Sequence, residues 1–151
     1  MNVSPKGIAL IKRWEGFRAR PYLCPAGVPT IGYGSTMWPS GRKVSLSDKP
    51  ITQFTASALV EAECHLICCK LKDLVKVELK QGMVDALCSF IYNPGIGAFA
   101  RSTLLVKLNA GDFIGAGKEI VKWDKARIDG ELRSLKGLRE RRRAEYNMFF
   151  S

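Results

Sequence analysis

Along the 151-residue chain, apolar residues recur mostly at steps of three and four, the rhythm of helices with one buried face. Ser4 suits an N-cap and Pro5 a first helical position, and Ile8 and Ile11 follow, so a helix is predicted over 5–15. Val60, Cys64, Ile67, Leu71 and Leu74 mark one face of a long helix over about 53–75, capped by Thr52. Met83, Leu87 and Ile91 stripe a helix over 80–92, which Asn93-Pro94-Gly95 ends. Shorter helices are predicted over 102–108, over 112–123 on Phe113, Ala116, Ile120 and Trp123, and over about 138–149. Residues 124–136 are polar and without rhythm, and read as a surface loop.

A different pattern occupies 21–46. Pro21-Tyr22-Leu23-Cys24 and Val28-Pro29-Thr30-Ile31 read as two short strands around a Pro25-Ala26-Gly27 loop. Arg42 to Leu46 reads as a third, with Val44 and Leu46 on one side. The fold class is α+β, with strands confined to about 22–46. One domain is expected over 1–151: a small lobe over about 16–51, a connecting helix over 53–75, and a helical lobe over 76–151 packed with the helix 5–15. No repeat or linker interrupts it.

The chemistry gathers at the junction of these two patterns. Glu15 continues the stripe of Ile8 and Ile11, so its carboxyl lies on the inward face, where a charge is costly unless something uses it. A solvated last-turn acid held by Arg13, Arg18 or Arg20 is the alternative. If Cys24 faces Val28, then Tyr22 faces Thr30, and Cys24 and Thr30 become diagonal neighbours on one face. Read alone, Cys24 is equally a small apolar filler and Thr30 an ordinary strand residue.

Charge and cysteine content narrow the setting. Lys and Arg number 24 against 14 Asp and Glu, a formal net charge of +10 that draws the molecule to polyanions: nucleic acid, anionic lipid or acidic envelope polymers. Five cysteines lack the spacing of a disulfide scaffold and point to synthesis in a reducing compartment. No stretch reaches the ~20 apolar residues of a membrane span, and no secretory signal is legible at the N-terminus. Cys64-His65-x-x-Cys68-Cys69 offers metal-like pairs on one helix, but buried free thiols fit the apolar stripe better, and a single histidine is too few for a zinc amidase. Arg133 to Arg143 holds six basic residues against Glu140, either a solvated helix face or an envelope-binding patch.

Glu15-Gly16, Cys24 and Thr30, followed by Ile31-Gly32-Tyr33-Gly34, resemble the active-site signature of phage-type lysozymes, the endolysins of tailed phages. The likeness continues through Gln81 to Phe90, Tyr92-Asn93-x-Gly95, Gly137-Leu138 and Arg141-Arg142 ahead of Glu145. Many members of the family carry histidine after Gly-x-Gly, where this chain has Ser35. The resemblance implies a lysozyme-like fold in which a small β-hairpin lobe is joined by a long helix to a larger all-helical lobe. It implies a muramidase that cuts peptidoglycan without metal or cofactor, with Glu15 as acid, Cys24 as nucleophile or base and Thr30 as orienting hydroxyl. Arg141 is expected to approach the acid, and Tyr92 and Asn93 to line the saccharide cleft. A monomer is expected, with peptidoglycan as partner, no specific nucleic acid, and anionic outer-membrane contact through the basic C-terminal helix. The implied route is from the host cytoplasm through a pore made by another protein. Two alternatives stand: a lytic transglycosylase using Glu15 alone, and a basic polyanion- or membrane-binding protein without catalysis.

Overall fold

The computed structural model describes residues 1–151. Helix α1 (Pro5–Glu15) begins at Ser4, whose side chain accepts from the Gly7 amide, and stops at Gly16, whose N–H returns to Lys12 O at 3.0 Å. The backbone N–H of Ser4 also donates to Asp85 Oδ1 at 2.8 Å, and its hydroxyl donates to Asp85 Oδ2. Asp85 therefore anchors the start of α1.

Strands β1 (Arg18–Leu23) and β2 (Pro29–Gly32) form an antiparallel pair with Tyr22 opposite Thr30 and Leu23 opposite Pro29. The loop closes through Gly27 N–H to Cys24 O at 2.8 Å and Cys24 N–H to Val28 O at 3.0 Å. Beyond β2, Ile31 and Ser35 exchange two backbone hydrogen bonds of 2.9 Å around Gly32-Tyr33-Gly34. The third strand expected over 42–46 is reduced to a single bridge between Met37 and Lys43. Asp48 takes its place as organiser, accepting from the Ser45 amide at 2.8 Å and from Trp38 Nε1 at 3.0 Å.

Helix α2 (Gln53–Leu74) spans roughly 33 Å at the rise of an α-helix, from the Thr52 cap onward. Its Leu59 joins Ile31 and Val44 in the small lobe's core, while Val60, Cys64, Ile67 and Leu71 enter a second core of 19 residues. One helix thus nails both cores together. Helix α3 (Gln81–Tyr92) is buried at every position from Met83 to Ile91, as an axle surrounded by other helices must be. Around it run α4 (Ile96–Ala100), α5 (Thr103–Asn109), α6 (Phe113–Val121) and α7 (Lys136–Phe149), with α1 and α7 packed directly on α3.

The reading of 124–136 as a loop, with strands confined to 22–46, is corrected here. Lys125–Ile128 (β3) and Glu131–Ser134 (β4) form a second hairpin, with Arg127 opposite Leu132 and Ile128 opposite Glu131. Its turn is Asp129-Gly130, with φ of 51° and 80°, the backbone that a two-residue hairpin loop requires. Asp-Gly was the available signal. The hairpin escapes periodicity because it stands in solvent and buries neither face.

Candidate active site

Gly16 ends α1 one residue past Glu15, so the carboxyl hangs at the helix tail beside the first hairpin, with its side chain 19% exposed. Arg141 Nη1 meets Glu15 Oε1 at 2.6 Å. The same guanidinium donates through Nε to Glu145 Oε1 at 3.1 Å and through Nη2 to Ser89 O at 3.0 Å. Glu145 is fully buried and also accepts from Ser89 Oγ at 2.8 Å and from Arg142 Nη1. A buried arginine fixed from α3 and within α7 therefore presents its remaining edge to Glu15.

On the first hairpin, the register of β1 and β2 brings the Cys24 thiol against the Thr30 hydroxyl. Backbone hydrogen bonding from Val28 does most to lower the Cys24 pKa from its ordinary value, with Ala26 and Thr30 adding to it against a smaller opposing effect of burial. Thr30 Oγ1 donates to Val28 O at 2.8 Å, which fixes its rotamer. Tyr22 lies near both Glu15 and Cys24: burial raises its phenol pKa, Arg18 opposes, and negative charges on Glu15 and Cys24 raise it further. The backbone of the 32–35 turn comes close enough to Glu15 that a Cβ on Gly34 would lie 2.7 Å from Oε2, at a φ of 79°. Only glycine fits this approach without strain.

Tyr92 donates from its hydroxyl to Tyr33 O at 2.7 Å, a strut between α3 and the small lobe. Asn93 is exposed, but its Oδ1 accepts from Arg142 Nη2, which leaves its amide nitrogen as the free polar group. Two other groups were not legible as neighbours of the site. Arg142, also bound to Trp123 O at 2.9 Å, is buried and its pKa is lowered mainly by that burial. Glu63, whose place on the long helix suits a surface or hydrogen-bonding acid, faces Glu15 and Tyr92, and burial pushes its pKa up to about 7. The thiols of Cys64, Cys68 and Cys88 are buried, and Cys69 Sγ approaches His65 Nε2 at 3.9 Å.

A sequence model described as phage lysozyme matches residues 12–145, a span that includes every group of this site. The chain belongs to the phage lysozyme family. It is 43% identical over 151 residues to an endolysin of Acyrthosiphon pisum secondary endosymbiont phage 1, covering all of this chain and 99% of that protein. It is 38% identical to the endolysin of Salmonella phage P22, with the same coverage. Among solved structures, the endolysin of Escherichia coli O157:H7 phage FAHEc1 superposes with a TM-score of 0.90 at 33% identity, covering 100% of this chain and 94% of that one. The muramidase domain of SpmX from Asticaccaulis excentricus superposes with a TM-score of 0.87 at 33% identity, over 99% and 98%. This phage lysozyme is a glycosidase, an endolysin whose substrate is peptidoglycan, and its α+β fold is that of its family. No helix of it is long and apolar enough to cross a membrane.

Proposed function

We propose that this lysozyme is a muramidase that hydrolyses the β-1,4 bond between N-acetylmuramic acid and N-acetylglucosamine, and that it lyses the host cell at the end of infection. Glu15 protonates the departing sugar oxygen, Cys24 acts as nucleophile or base on the opposite side, and Thr30 orients that group. Arg141 holds the Glu15 carboxyl in place, while Tyr92 and the free amide of Asn93 border the sugar-binding cleft. The observation that carries this reading is that the Glu15 carboxyl, held by Arg141 at 2.6 Å, and the Cys24 thiol, seated on Thr30, both lie near one phenol, Tyr22. One side can supply a proton and the other an electron pair, and glycoside cleavage needs both.

Mass spectrometry of the products from purified peptidoglycan tests the bond and the reaction together. Muropeptides with hydrolysed N-acetylmuramic acid at the reducing end are expected. Anhydro-muramic ends would establish a lytic transglycosylase instead. In the same reading the enzyme acts as a monomer, reaches the wall through a pore made by another protein, and touches anionic outer-membrane groups through Lys136, Arg139 and Arg143. Those three cations line a shallow surface hollow on α7 with Glu140.

A further inference from the structure

Ser35, Glu63 and Tyr92 form a polar knot beneath the turn that touches Glu15. Ser35 is 2% exposed, and its Oγ has no hydrogen-bond partner although it lies beside the Tyr92 hydroxyl. Tyr92 has a single hydroxyl proton, which is committed to Tyr33 O at 2.7 Å. The Glu63 carboxyl faces that same hydroxyl from α2. An ionised carboxylate there could only accept, and would compete with Tyr33 O for the one proton available. A neutral carboxylic acid would donate to Tyr92 Oη and leave the Tyr92–Tyr33 strut intact.

We propose that Glu63 is a positioning residue: as a neutral acid it donates to Tyr92, so that Tyr92 keeps Tyr33 and the adjoining Gly34 backbone seated against the Glu15 carboxyl. The environment agrees with this protonation state. Burial, the largest influence, favours the neutral form and outweighs the Tyr92 hydroxyl, which favours the charged one, and the charge facing Glu63 from α1 is Glu15, of like sign. On α7, the cation that reaches Glu15, Arg141, is engaged by Glu15, Glu145 and the Ser89 carbonyl. From the turn, Tyr33 O and the Ser35 hydroxyl lie at the Tyr92 hydroxyl. Glu63 also lines a hollow of about 310 Å³ with Trp38, Leu59 and Leu66, which gives protons a path to it. The position of Ser35, where histidine is common in the family, is thus served here by an uncharged hydroxyl and a neutral acid.

The inference rests on Glu15 acting as the proton donor, and its test separates the two. Above a Glu63 pKa of about 7 the strut loosens, so wild-type kcat should fall about tenfold between pH ~6 and ~8 beyond any change shared with the variant. Glu63→Gln, which donates at every pH, should keep wild-type kcat at pH ~6 and lack this fall. Glu63→Ala should lose kcat with little change in KM. Superimposed pH profiles of wild type and Glu63→Gln would overturn the inference and leave the role of Glu15 untouched. Infrared titration gives a readout independent of turnover. A protonated-carboxyl band should disappear as pH rises through ~7 in the wild type and be missing in Glu63→Gln. A Glu63 already ionised at pH ~6 would also overturn it, whereas full activity in Glu15→Gln would overturn the reading beneath it.

Discussion

Thr30 keeps one rotamer by donating to Val28 O, and the thiol that lies against it is the residue whose chemistry most distinguishes this site. Backbone hydrogen bonding from Val28 and Ala26 favours the thiolate form of Cys24. Alkylation by iodoacetamide should therefore rise with pH through a midpoint below the about 8.5 of an ordinary free thiol, and loss of activity should follow the same curve. Cys24→Asp should retain cleavage and resist the reagent. Inactivation that follows an ordinary thiol titration, or that persists in Cys24→Asp, would contradict this role. The pairing of Cys24 with Thr30 was legible because strand alternation leaves few options once Pro25-Ala26-Gly27 sets the turn. The environment of Glu63 was not. Helical spacing says which face a residue is on, and an acid between Leu59 and Leu66 looks like surface until a neighbouring element closes over it.

At the scale of elements, the helices declare themselves through stripes and caps: Ser4 opens α1, Thr52 opens α2, and Ser102 opens α5. The departures have physical reasons. The second hairpin buries no face, and the strand expected over 42–46 gives way to side-chain bonds on Asp48. Helix α7 shows what the charge pattern hides. Its basic run reads by itself as a solvated face or an envelope-binding patch, yet Arg141 and Arg142 turn inward onto Glu145, whose side chain is fully buried. Removing the Glu145 charge leaves buried Arg142 without a carboxylate and Arg141 with Glu15 alone, so Glu145→Gln should lower the unfolding free energy by about 3–5 kcal/mol, measured by urea denaturation. A change within about 0.5 kcal/mol, typical of surface substitutions, would show that α7 is held by its apolar face alone.

At the scale of the whole molecule, α2 joins a three-residue core in the small lobe to a larger one behind it, and α3 is the axle on which α1 and α7 meet. That arrangement delivers Glu15 and Arg141 to one point from positions 126 residues apart. It sets them against a hairpin that contributes a thiol and a hydroxyl. The net charge of +10 suits an acidic wall polymer, but it supplies attraction and no bond cleavage. The central claim is that Glu15 donates the proton. The rate of reducing-end release from purified peptidoglycan by Glu15→Gln, with its fold verified by circular dichroism, tests this most directly. A loss of about 10²- to 10⁴-fold relative to wild type is predicted, the share typical of a general acid. Release at the wild-type rate would contradict it.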